Sequence, residues 1–265
     1  MLELAISFAA ILGLIVGSFL NVVILRGQTQ EKLKGRSHCP FCKTKLSAQE
    51  LIPIFSFLWQ KGRCLHCDRK ISWQYPLVEG LTAIVYAVAV WFFLKSRFWP
   101  DFYDLIFLLL LLSGLAAAII IAVSDLRFKT IPDGAVLTLL MPGLLVTLAK
   151  WYSHGFWLAG KDLITSAALA LFLASIWFLS SGRLMGLGDA KLIFATSLIL
   201  GFPASLSAFL FSFWLGGAAG LVFLLSRTHS LRSQIPFGPF ILLGSALAYF
   251  FSQPFLSLTG LSQLL

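Results

Sequence analysis

Charge is what this sequence has least of. Asp, Glu, Lys and Arg make up 12% of its 265 residues, against about 25% in an ordinary soluble domain. Polar stretches are almost absent too: the only long one is residues 26–73. There is no tandem repeat, no low-complexity tract and no disordered tail. The opening, MLELAISFAA, lacks the basic region of a signal peptide, and its apolar stretch to residue 25 is too long for a signal core, so it is expected to be retained as a first membrane span.

What fills the chain is apolar sequence, 58% of it hydrophobic. A helix crosses a bilayer in about 20 residues, and residues 105–123, 163–179 and 204–225 are each close to that length. The lipid core offers backbone groups no water, so spans must be helices or a closed barrel, and continuous rather than alternating apolarity points to helices. The expected fold is an all-α polytopic membrane protein. Eight spans fit, near residues 2–25, 77–95, 104–124, 134–150, 163–181, 185–201, 204–225 and 238–256. The domain division expected is 1–25, the first span; 26–76, a soluble loop domain; and 77–265, the remaining helices.

The polar loop holds ten of the twenty Lys and Arg residues, which places it in the cytoplasm and the N-terminus outside. The eight-span arrangement then puts Arg127, Lys129, Arg183, Lys191, Arg227 and Arg232 inside, sixteen basic residues against four outside, Lys95, Arg97, Lys150 and Lys161. Were the sixth segment re-entrant, the balance would be fourteen to six. The formal charge of +9 is therefore read as membrane topology, with lipid as partner and no nucleic acid. Nothing in the sequence sets an oligomeric state.

A loop of about fifty residues cannot build much core and calls for a staple. All four cysteines lie in it, as CPFC (Cys39, Cys42) and CLHC (Cys64, Cys67). Two residues between thiols let both sulfurs of a knuckle face one tetrahedral zinc, and a cytoplasmic loop disfavours disulfides. A redox dithiol pair or bare thiols are the competing readings. Lys43 and Asp68 stand where many zinc knuckles carry glycine. Four thiolates complete the shell, which leaves His38 and His66 as bystanders and the zinc structural.

Ionisable residues at spans are costly and are functional candidates. Glu79, Asp125, Asp133 and Asp189 all fall at the cytoplasmic side, and Asp125 and Asp189 each adjoin apolar helix at one depth. Two carboxylates held close at a shielded surface share a proton. One can then take a proton from water while the other donates to a peptide carbonyl. In LMGLGDAKL, residues 184–192, Gly186 and Gly188 are read as giving the backbone freedom beside Asp189 and letting a substrate strand approach. Lys191 either tunes the nearby carboxylate or meets lipid phosphates. By position alone, Asp125 fits equally well as a helix cap or a partner of Arg127, and Asp189 as a partner of Lys191. Ser18, Asn21 and Glu79 fit either substrate contacts or polar bonds between spans. Pro132 and Pro236 read as helix starts.

These residues resemble a known family. GLGDAKL resembles the GxGD signature of membrane aspartyl proteases. GSFLNVVILR (residues 17–26), the stretch 51–83 around the second cysteine pair, SDLRFKTIPD (124–133) and IPFGPFILLG (235–244) are similar to blocks of the bacterial type IV prepilin peptidases, in the same order. The resemblance implies catalytic Asp125 and Asp189, supported by Gly186, Gly188 and Lys191. It also implies a site at the cytoplasmic face of the bacterial plasma membrane. The substrates implied are prepilins and pseudopilins, cut after a glycine within a short basic leader. Members with the cysteine loop are associated with a second activity, methylation of the new amine by S-adenosylmethionine. No Gly-rich strand-to-helix turn marks a site for that donor, and Gly80 stands where a larger apolar residue often follows the glutamate. A peptidase without methylation is one alternative. A small proton-coupled transporter and a zinc-loop scaffold protein are alternatives of other classes.

Overall fold

A computed structural model describes residues 2–29, 35–96, 102–226 and 235–258. Arg97, Arg227 and Arg232 of the charge count lie outside them. The structure is helical, with no strand among the described residues and only two isolated bridges. The helices are α1 (Leu2–Thr29), α2 (Phe55–Trp59), α3 (Gln74–Ser96), α4 (Phe102–Phe128), α5 (Asp133–His154), α6 (Phe156–Leu179), α7 (Leu187–Leu200), α8 (Ala204–Leu225) and α9 (Gly238–Leu258). Two compact units result, Met1–Ile120 and Ile121–Leu265.

Six helices (α1, α3, α4, α5, α6 and α8) are long and apolar enough to cross a membrane, so the chain is a multi-pass membrane protein. Among the described residues these six are supported, and the expected eight are not confirmed. With 14 residues, α7 is about 21 Å long, short of the roughly 30 Å hydrocarbon core. Helix α9, with 21 residues, has the length of a span. Helix α1 also continues past Arg26, where the polar loop was expected to begin, to Thr29. The side chain of Arg26 is buried and donates to the Arg36 carbonyl at 3.2 Å.

In the first unit, α1 packs on α3 through Gly13 and Gly17. A Cβ at either would lie under 3 Å from the backbone of Ala83 or Glu79, the close approach that a GxxxG pair permits. Asn21 crosses the same seam, donating to the carbonyls of Gly17 (3.3 Å) and Tyr75 (3.2 Å) and accepting from Gln74 (3.2 Å). Glu79 accepts the backbone N–H of Ile54 at 2.7 Å. Between the described residues, Asn21 and Glu79 bond element to element.

In the second unit, α7 runs alongside α5 from one end to the other. At its start, Lys191 pairs with Asp133, the first residue of α5, at 2.8 Å. Just past its end, the Phe202 N–H donates to Asp162 Oδ1 at 2.7 Å, while Lys150 near the end of α5 pairs with Asp162 Oδ2 at 2.6 Å. The chain therefore leaves α7 at the end opposite Asp189. Asp162 is fully buried. Replacing Lys150 with Met strands that carboxylate and should cost about 3–5 kcal/mol. Adding Asp162→Asn, which keeps an acceptor for Phe202, should restore most of the loss; thermal unfolding in detergent reads both.

Candidate functional site

Asp125 lies in the last turn of α4. The helix stops three residues later because Lys129 turns left-handed (φ 56°) and returns its N–H to the Asp125 carbonyl at 2.9 Å. Residues 129–132 then lead to α5, with Pro132 extended at its N-cap. Pro236 precedes α9 by two residues. Both prolines thus sit at helix starts.

Asp125 Oδ2 accepts the N–H of Gly238, the first residue of α9, at 2.8 Å. That N–H has no carbonyl within its own helix to bond, and the positive end of the helix favours a carboxylate beside it. Asp189 sits in the first turn of α7. Its Oδ2 accepts the Gly186 N–H at 3.1 Å, while its own N–H returns to the Gly186 carbonyl at 3.2 Å. Both carboxylates are buried.

Ile131 is the spacer between them. A Cβ on Gly188 would meet Ile131 Cβ at 3.0 Å, and one on Gly238 would meet Ile131 Cδ1 at 3.4 Å and Asp125 Oδ2 at 2.8 Å. The glycines therefore act differently from the sequence expectation. Gly186 is extended (φ −83°, ψ 149°), and Gly188 is not among the glycines with positive φ. Gly188 provides room for Ile131, not conformational freedom. Lys191, too, is placed otherwise: it pairs with Asp133, 58 positions earlier, and not with Asp189. Arg127 lies over the Phe128 ring, 5.3 Å from its centroid.

Gly238 and Ile131 went unremarked as single residues in the sequence, although both sit in quoted blocks. Ser124, buried beside Asp125 with no partner for its hydroxyl, also carried no signal. An apolar groove of about 640 Å³ lies between α5, α6 and α7, lined by Leu137, Ala170, Ala174, Ala190 and Phe194 among others, with Asp133 and Lys191 in its wall, on the face of α7 away from Asp189. Asp125 and Asp189 are thus two buried carboxylates among apolar helices, each accepting one backbone N–H.

The cysteines form a second centre. Cys39, Cys42, Cys64 and Cys67 bring their sulfurs within 4.8 Å of one another, and Cys39 and Cys67 lie 3.9 Å apart. Zinc–sulfur bonds of about 2.3 Å in a tetrahedron set sulfurs roughly 3.8 Å apart, so the four can hold one such ion. The two knuckles repeat each other. Lys43 and Asp68 donate to the Cys39 and Cys64 carbonyls at 2.9 Å, and Cys39 and Cys64 donate to Thr44 and Arg69 at 3.0 Å. Lys43 (φ 59°) and Asp68 (φ 57°) both take the left-handed conformation usual for glycine there. Asp68 is further held by Arg63 at 2.7 Å. His66 faces Glu50 at 3.4 Å, outside the sulfur cluster. The Ser47 N–H and hydroxyl, each 2.8 Å from Glu50, hold that carboxyl below its usual range.

Comparison with known proteins gives the chain its family. The profile described as the Bacterial Peptidase A24 N-terminal domain matches residues 11–93, and that of the Type IV leader peptidase family matches residues 109–221. A Prepilin leader peptidase/N-methyltransferase of Bacillus subtilis (strain 168) is 35% identical over 259 residues, 95% of this chain and 96% of the relative. Proteins of the same name are 34% identical over 271 residues in Aeromonas hydrophila (91% and 89% covered) and 30% over 276 in Xanthomonas campestris (92% and 91%). No solved structure matches. The chain belongs to the type IV leader peptidase family.

The packing at Gly238 gives a direct test. Gly238→Ala forces the Asp125 carboxylate or the start of α9 to move and should cost about 1–3 kcal/mol. Gly27→Ala in α1, where a Cβ meets nothing within 4 Å, should be neutral or stabilising. Thermal unfolding of the two variants compares them.

Proposed function

We propose that this member of the family is a membrane aspartyl endopeptidase that cleaves the leader of type IV prepilins and pseudopilins, and that it then N-methylates the new terminus. The observation that carries the reading is the convergence of Asp125 and Asp189 at one end of the second unit, each steadied by a backbone N–H. A water between them attacks the scissile carbonyl carbon. One carboxylate, ionised, takes the water's proton; the other, protonated, gives its proton to the carbonyl oxygen. Collapse of the tetrahedral adduct breaks the C–N bond: the proton just taken passes to the leaving amine, and the carboxylate that gave its proton takes one back from a hydroxyl of the adduct as the carbonyl reforms. No covalent intermediate forms.

The aspartate end of the second unit carries Arg127, Lys129, Arg183 and Lys191, against Lys150 and Lys161 at the other. The positive-inside rule therefore supports a cytoplasmic face of the bacterial plasma membrane for the site. On this reading residues 77–265 carry the hydrolytic machinery, residues 1–25 the first span and residues 26–76 the zinc loop. Carboxylates gathered at one end do not suit a proton-coupled carrier, whose sites lie near the bilayer midplane.

Zinc bound by Cys39, Cys42, Cys64 and Cys67 supplies a structural crosslink and no open position for chemistry. For methylation, S-adenosylmethionine supplies the methyl group to the new amine. The described residues hold no strand and so no glycine-rich strand-to-helix turn of the kind that commonly cradles nucleotide cofactors, and no step of the cleavage passes through the donor.

Asp125→Asn and Asp189→Asn should each abolish prepilin cleavage while the protein still inserts and unfolds at its usual temperature; near-normal processing by either variant contradicts the mechanism. Incubating purified protein with prepilin and labelled S-adenosylmethionine should release leader and transfer label to the mature product. Cleavage without label would reduce the proposal to a peptidase. Elemental analysis should find one zinc per chain, lost on Cys64→Ser.

A further inference from the structure

The cysteine loop carries an apolar face that the zinc centre and the hydrolytic reading leave unused. In α2, Phe57 points inward and is buried against Trp73 and Gly62. On the other side, Phe55, Leu58 and Trp59 are 70%, 62% and 86% exposed. Their spacing places all three on one face of the helical turn. In a water-facing loop such a patch is a liability that marks an interaction site.

The position of α2 says what covers it. Ile54, its N-cap, is held by Glu79 at 2.7 Å, in a left-handed conformation (φ 61°) that a β-branched residue rarely adopts. Glu79 lies five residues into α3, about 7.5 Å along the helix axis. Leu77 and Leu81, one turn apart beside it on that helix, are exposed as well, and α3 is one of the membrane-crossing helices. The start of α2 is therefore pinned at the depth where α3 is already clad in lipid. Interfacial helices bury their apolar face about 5–10 Å into the headgroup and acyl boundary.

Charge agrees. Over residues 35–73 seven Lys and Arg face two acidic residues, a balance of +5. Four thiolates with one zinc take two from that and leave +3. Lys61 and Arg63 follow directly on α2. Basic residues flanking an apolar face suit the anionic surface of a bilayer better than a second protein, for which the loop would show a mixed polar rim.

We propose that α2 is an interfacial membrane anchor: Phe55, Leu58 and Trp59 insert at the headgroup boundary of an anionic bilayer, and the basic knuckles lie against the lipid phosphates. The zinc loop is thereby laid on the membrane at two points, through Glu79 and through α2, and does not project into the cytoplasm.

The test places a fluorescent amino acid at Trp59, and separately at Leu58, in the full chain reconstituted in vesicles of phosphatidylcholine with phosphatidylglycerol. Because both side chains are exposed, neither replacement disturbs the core; unchanged zinc content and thermal unfolding confirm it. Brominated phosphatidylcholine should quench each label several-fold more than iodide does, and the excess should shrink when phosphatidylglycerol is left out. Quenching by iodide without quenching by brominated lipid overturns the proposal. So does a label protected from iodide only once prepilin is added, which would assign the face to a protein partner.

Discussion

A carboxylate among apolar helices is tolerable only if something donates to it, and in this protein the donor is repeatedly a backbone N–H at the start of a helix. Asp125 takes Gly238 at the start of α9, Asp189 takes Gly186 at the start of α7, Glu79 takes Ile54 at the start of α2, and Asp162 takes Phe202 just before α8. Helix starts have N–H groups left without intrahelical partners and carry the positive end of the peptide dipoles. Each pairing satisfies a donor and an acceptor together, and each fixes where two distant pieces of chain meet.

The site follows from that economy of donors. Of these four, Asp162 has a lysine partner among the described residues, Lys150, at the end of α7 opposite Asp189. Asp125 and Asp189 are held by neutral backbone amides, an arrangement that suits the acid–base pair we propose. The nearest basic residue in sequence to Asp189, Lys191, is turned away to Asp133. Ile131 fills the space between the starts of α7 and α9, where a side chain at Gly188 or Gly238 would collide with it.

Much of this was legible in the residues. Apolar runs located every long helix, because a bilayer demands about 20 residues of unbroken apolarity and leaves little choice of structure. The CxxC pairs located the sulfur cluster, because its geometry is local. What could not be read is non-local or conformational. The partner of Asp125 is 113 residues away and offers only a backbone N–H, which no side-chain pattern announces. Lys191 looked like a neighbour of Asp189 because sequence distance hides which way a helical side chain points. The glycines at 186 and 188 suggested flexibility, whereas packing against Ile131 was the reason for one of them. Lys43 and Asp68 occupy left-handed positions that favour glycine, held there by the knuckle's own hydrogen bonds.

The central claim is that Asp125 and Asp189 act together on one scissile carbonyl. A structure of the full chain bound to a prepilin peptide carrying a secondary alcohol in place of that carbonyl tests it most directly, since the alcohol occupies the position of the tetrahedral adduct. The account predicts that its oxygen lies within hydrogen-bond distance, about 2.6–3.2 Å, of a carboxylate oxygen from each aspartate. An alcohol that contacts only one of them, or lies at neither, would contradict it.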